Sequence, residues 1–305
     1  MRIEDVIDES ILAVFKDRIL SRHMVLKGGS ALRMLEHDRT RLSIDADFSV
    51  RGSIRSSEPF FARMETTLSR AFAPRDYCVM DFRVTPRPKC RKPRMPRWWK
   101  GWLCQFKLLA REFTTQPLEA QRRRALVPEG SNSPVIEIEV SEHEYCGTER
   151  KRRIRGVVVH GYTRELLVLE KLRAICQQHP EYQFRSNKNR ARDFYDIHRL
   201  CGGRMGTRFV QRCRKDLPAV FGAKAVPVDL LRALWDPEFL VVQQRGFAQV
   251  VDDVRGAVRE FDVYVECLRY LVQRICPGMP RSETTPSSLQ SSSPGATTWT
   301  QKHEQ

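Results

Sequence analysis

Two aspartates, Asp45 and Asp47, stand two apart in the segment Arg41-Leu42-Ser43-Ile44-Asp45-Ala46-Asp47-Phe48. Leu42, Ile44, Ala46 and Phe48 alternate with Ser43, Asp45 and Asp47, so the segment reads as a strand with one buried face. On the other face the two carboxylates lie ~6–7 Å apart at Cα. Carboxylate pairs are hard oxygen ligands, although a solvated strand face carries the same pattern. Upstream, Lys27-Gly28-Gly29-Ser30 falls between apolar Met24-Val25-Leu26 and a helical stretch from Ala31 to Glu36. A glycine turn opening a helix suits phosphate, because its N–H groups and the helix dipole favour an anion. Glycine also marks any tight turn. Together the two features put an anion cradle one strand away from a ligand pair, which suits Mg²⁺ bridging a nucleoside triphosphate.

The elements that must hold these groups follow from periodicity. Ile7 to Leu20 is patterned as an amphipathic helix, and residues 57–73 as another. Strands are expected at Tyr77–Thr85, Leu103–Ala110, Val135–Val140 and Ile154–His160. Past Gly161 the character becomes helical. Thr163 can cap a helix running to about Gln178, and Arg190–Leu200 and the segments 206–221, 227–248 and 249–275 follow. The expected fold is α/β (α+β): an N-terminal mixed sheet with flanking helices over 1–160, a helical domain over 161–276, and a disordered Pro/Ser/Thr-rich tail over 277–305.

Composition bounds the function. The 305 residues carry a net charge of +16 and a pI near 9.8, which favours a polyanionic partner such as nucleic acid. No apolar run approaches a membrane span and the N-terminus has no signal-peptide pattern, so a cytoplasmic protein without membrane contact is expected. The nine cysteines form no CxxC and no zinc spacing, in keeping with reduced thiols. His143 and His198 are lone histidines, better read as structural than catalytic.

Four pieces in order carry a family resemblance. Leu26-Lys27-Gly28-Gly29-Ser30-Ala31-Leu32 with Arg41–Phe48 resembles the first motif of the AbiEii/AbiGii toxin family, nucleotidyltransferases of the DNA polymerase β-like superfamily. Glu165–Ala174 resembles the family's lysine-bearing helix, and Arg190-Ala191-Arg192-Asp193-Phe194-Tyr195-Asp196-Ile197 its downstream Arg/Asp motif. The resemblance implies that Asp45 and Asp47 bind metal, that Gly28, Gly29, Ser30 and Lys171 hold the nucleotide phosphates, and that Asp193 is needed for activity. Arg41 and Ser43 are further nucleotide-binding candidates, and Asp196, on the face of Asp193, is a weaker one. The superfamily's third carboxylate, which activates the attacking hydroxyl and shares the metal, maps to Glu139. Glu137 lies on the same strand face, so the choice between them stays open.

The basic stretches suggest the acceptor. Arg94, Arg97, Trp98, Trp99 and Lys100, then Arg122, Arg123 and Arg124, then Lys151, Arg152 and Arg153 combine phosphate-binding cations with stacking aromatics. Trp102 sits among them, and Arg185, Lys188, Arg190 and Arg192 form a further run. The expected activity is transfer of NMP from an NTP, with Mg²⁺ (two ions), to RNA. By resemblance the acceptor is the tRNA 3′ end, and the protein is the toxin of a toxin–antitoxin, phage-defence system with a cognate antitoxin. The alternatives are NMPylation of a protein hydroxyl, or a non-catalytic RNA-binding module on the same fold.

Overall fold

The structure, a computed structural model, describes residues 1–36, 45–90, 95–96, 98–202, 205–254 and 257–280. Among these, seven strands form one mixed sheet: β1 (Met24–Lys27), β2 (Ala46–Val50), β3 (Tyr77–Arg87), β4 (Gly101–Ala110), β5 (Ile136–Ser141), β6 (Glu149–Ile154) and β7 (Val157–Tyr162). Their order is β3-β4-β5-β2-β1-β7-β6. β2 runs parallel to β5 and antiparallel to β1, while β1 runs parallel to β7.

The helices before and between the strands are α1 (Ile3–Lys16), α2 (Arg18–His23), α3 (Gly28–Glu36), α4 (Ser57–Phe72) and α5 (Leu118–Arg123). After β7 come α6 (Arg164–Cys176), α7 (Ala191–Cys201), α8 (Thr207–Gly222), α9 (Pro237–Gln244), α10 (Phe247–Asp253) and α11 (Phe261–Ile275). The side chain of Thr163 caps α6 by accepting the Leu166 N–H. Buried apolar residues from Ile3 to Ile275 form one continuous core.

Several expectations are corrected. The helix expected from Ile7 to Leu20 is two helices, because Asp17 takes an extended conformation and accepts the Ile19 and Leu20 N–H groups to start α2. The strand expected at Ile154–His160 is a hairpin. Arg155 and Gly156 both have positive φ, 47° and 80°, so the chain reverses there, and the basic run before it becomes β6. The helix expected over 249–275 ends at Asp253 and resumes at Phe261. The stretch 227–248 opens with a 3₁₀ helix, Val228–Trp235, before α9.

Candidate active site

The β1–α3 turn is built around one glycine. Gly28 has φ +65°, and a Cβ there would sit 2.0 Å from Oδ2 of Asp47. The backbone therefore approaches a carboxylate as no L side chain would permit. Ser30 is fully buried, and its Oγ donates to the Asp45 carbonyl at 2.6 Å, fastening the start of α3 to the entry of β2.

Register sets the carboxylates. Asp47 in β2 lies directly opposite Glu139 in β5 and opposite Lys27 in β1, so the three share one face. Glu137, two residues back, is paired instead with Gln105 of β4. Asp45 stands just before β2, exposed. Burial, chiefly, and then the carboxylates of Glu139, Asp45 and Glu170 push the Asp47 pKa up to about 7, against the pull of Lys27.

Lys27, Gly28, Asp47 and Glu139 line a cleft of about 900 Å³ that also takes in Gly29, Trp98, Lys171, Asp193 and Lys224, whereas Ser30, Asp45 and Glu137 are not on its lining. Lys171 of α6 is held by two carboxylates of α7, Asp193 at 2.9 Å and Asp196 at 2.8 Å. Beside it lies a cluster that no local motif announces. Lys27 meets Glu170 at 3.1 Å and Glu144 at 3.5 Å; Arg173 meets Glu144 at 3.2 Å and Glu170 at 3.3 Å; Lys224 meets Glu144 at 3.2 Å. Burial alone would lower the Lys27 pKa, but Glu144, Glu170 and Asp47 outweigh it and hold the ammonium above the ordinary lysine range. Burial, then Arg173 and Lys27, lower that of Lys224. The one sequence signal is the run of charges Glu170, Lys171 and Arg173 that follows the apolar Leu166–Leu169 of the helix; Glu144 and Lys224 give none.

The expected nucleic-acid residues do not form one surface. Trp98, Trp99 and Lys100 line the cleft. Arg122 pairs with Asp81 of β3 and with Glu119, and Arg124 packs over Phe113; Arg122 and Arg123 belong to α5 and Arg124 caps its C-terminus, at the β3 side of the sheet. Lys151, Arg152 and Arg153 lie on β6, at the opposite edge, and Arg152 donates to the carbonyls of Met34 and Leu35. Six strand spacings of ~4.8 Å, roughly 29 Å, separate the two edges. Trp102 is a core residue against Phe61. His198 is packed edge-on to Tyr264, and His143 lies on an exposed turn; neither lines the cleft. Arg41, Ser43, Arg94 and Arg97 lie outside the described residues.

A family model described as nucleotidyl transferase AbiEii toxin, type IV toxin–antitoxin system, matches residues 10–267. The chain belongs to this family. It is therefore a nucleotidyltransferase toxin, and AbiEii membership implies an NTP substrate and a cognate antitoxin. No curated protein matches the sequence. Two solved structures overlap it loosely. JHP933 from Helicobacter pylori is 15% identical, with TM-score 0.47, over 89% of this chain and 90% of that one. MenT4, a nucleotidyltransferase toxin from Mycobacterium tuberculosis H37Rv, is 13% identical, with TM-score 0.36, over 91% and 92%. No residue roles follow from overlaps this loose. Among the described residues of this AbiEii-family chain, no helix is long and apolar enough to cross a membrane.

The donors suit a magnesium ion in kind. Among the described residues no three His, Cys, Asp or Glu side chains are gathered tightly enough to hold a metal alone. Mg²⁺ in nucleotide sites commonly takes one or two carboxylates and completes its shell with phosphate oxygens and water. Asp47 and Glu139, in register on one face and both on the cleft lining, are such a pair.

Proposed function

We propose that the cleft transfers NMP from an NTP to the 3′ end of an RNA, with tRNA as the acceptor class, and that Mg²⁺ assists. The observation that carries this reading is the pairing of Asp47 with Glu139 beside the Gly28 turn, inside a cleft rimmed by cations and half-buried tryptophans. In this reading residues 1–160 supply the catalytic sheet, and residues 161–276 supply Lys171 and Asp193. Gly28 and Gly29 let the backbone approach the triphosphate, and Lys171 faces its charge. Ser30 acts by anchoring the turn to Asp45. Asp47 and Glu139 would hold the metal, with Asp45 just before β2 as the nearest further carboxylate of the motif, and the metal when bound supplies charge neutralisation at the phosphoryl oxygens. Glu139, the more open carboxylate, is placed to orient the acceptor hydroxyl. The acceptor hydroxyl gives its proton to Glu139 as its oxygen attacks the α-phosphorus; the new P–O bond forms, the bond from the α-phosphorus to the bridging oxygen breaks, and pyrophosphate leaves.

The test is incubation of the protein with Mg²⁺, total tRNA and each α-³²P-labelled NTP in turn. Label should enter RNA, and should fall on the order of 100-fold or more in Asp45→Ala/Asp47→Ala and in Glu139→Gln. Glu137→Gln, outside the pair, should retain label. Label found in protein from a lysate, and none in RNA, would overturn the RNA acceptor in favour of protein NMPylation. No label anywhere, with NTP binding also absent, would leave a non-catalytic RNA-binding module.

A further inference from the structure

Trp98 and Trp99 stand just outside the sheet, where β4 begins beside the end of β5. Lys100 N–H donates to the Trp98 carbonyl, Glu142 N–H donates to the Lys100 carbonyl, and Gly101 pairs with Ser141. Their indoles are stacked, with centroids 5.8 Å apart and planes 12° from parallel. Phe184, from beyond α6, stands edge-on to both at 84°. Tyr182 is in turn edge-on to Phe184, and its hydroxyl donates to the Lys224 carbonyl at 2.8 Å. The Lys224 ammonium lies 5.6 Å from the Trp98 ring centre.

The indole pair differs from core packing, although Tyr182 and Phe184 beneath the contact belong to the core and its margin. Trp102, the third tryptophan of the stretch, is 7% exposed and seated against Phe61, whereas Trp98 and Trp99 are half-buried and line the cleft. Its location is also specific. β1 is antiparallel to β2, so Gly28 lies past Asp47 toward the start of β2. β5 is parallel to β2, so the tryptophans lie past Glu139 toward the other end of the strands. The carboxylate pair therefore sits between the phosphate turn and the indole pair. A flat aromatic surface with an adjacent cation, placed on the side of the reacting centre away from the phosphate turn, fits a nucleobase.

We propose that Trp98 and Trp99, with Phe184 edge-on to them as support and Lys224 beside them, form a nucleobase-stacking subsite of the cleft. This rests on the nucleotidyl-transfer reading above. The base comes either from the terminal nucleotide of the acceptor or from the incoming NTP, which share the same aromatic face, and binding measurements separate the two. The probes are a short fluorescein-labelled single-stranded RNA, the same RNA lacking its 3′-terminal base, the four NTPs, and ribose 5-triphosphate. Affinities are measured at equilibrium on the full-length protein and on Trp98→Leu/Trp99→Leu, whose thermal midpoint is checked against wild type.

Stacking predicts that removing the base weakens binding to wild type roughly 5- to 100-fold, and that this difference disappears in the variant. If the RNA pair shows it, the subsite holds the acceptor base; if the NTP pair shows it, the incoming base. Equal affinity with and without the base for both ligands would overturn the subsite, as would a base dependence of the same size in the variant. The wild-type comparison needs no substitution, so a variant that fails to fold leaves the proposal testable. Failure of transfer itself is read separately, as absence of label in RNA.

Discussion

Asp47 concentrates the chemistry of the cleft in one side chain. It touches the glycine turn, faces Glu139 across the sheet, and neighbours Lys27. Its pKa is raised from 3.8 to about 7, so the folded state binds a proton more tightly than the unfolded chain does. Without metal, stability should therefore fall as pH rises from about 4 to about 7, because folding must then bury a charge. At ~1.4 kcal/mol per pKa unit, relieving that cost is worth on the order of 1–4 kcal/mol. In EDTA, Asp47→Asn should be more stable than wild type by this amount at pH 8 and nearly equal to it at pH 4. Denaturant melts across that range measure it, and equal stabilities at pH 8 would refute the assignment.

Between elements, the decisive contact is that of α6 with α7. Lys171 is clamped by Asp193 and Asp196, and Asp193, which itself lines the cleft, holds the lysine in place. Lys171→Ala and Asp193→Ala should each slow transfer roughly 10- to 150-fold, the scale of a hydrogen bond to a charged group. If they act as one unit, the double variant should be little slower than the worse single one. Multiplicative losses would show that Asp193 contacts substrate independently. The same region explains why Lys27, Glu144, Glu170, Arg173 and Lys224 can be buried together: each charge has an opposite partner within 3.5 Å.

Across the whole molecule, the +16 charge is dispersed over more than one face. No residue of the α5 and β6 clusters lines the cleft, and several of their arginines are engaged in ion pairs or with backbone carbonyls. RNA engaged at the cleft should therefore feel Arg87 and Lys188, which line it, and not Arg122 or Arg123. Removing Arg87 and Lys188 together should flatten the dependence of log affinity on log salt by about 1.4, at ~0.7 per single-strand phosphate contact. Arg122→Ala/Arg123→Ala should leave the slope unchanged. Titrations of a labelled single-stranded RNA over a salt series distinguish the cases, and an equal change in both variants would mean that RNA wraps the sheet edges.

Much of this was legible from local pattern. The glycine turn, the alternation around Asp47 and Glu139, the Thr163 cap and the helices bearing Lys171 and Asp193 are short-range features, written in residues a few positions apart. The order of the motifs was enough to indicate the family. What required the tertiary structure was pairing over long range. Only strand register sets Glu139, and not Glu137, against Asp47, because shifts of two residues leave the same face exposed. Only helix packing turns Asp193 onto Lys171, and only the return of the chain after α8 brings Lys224 to Glu144 and Trp98. Periodicity tells a residue which face of its own element it occupies; what that face meets depends on contacts between residues dozens of positions apart, which no local pattern encodes.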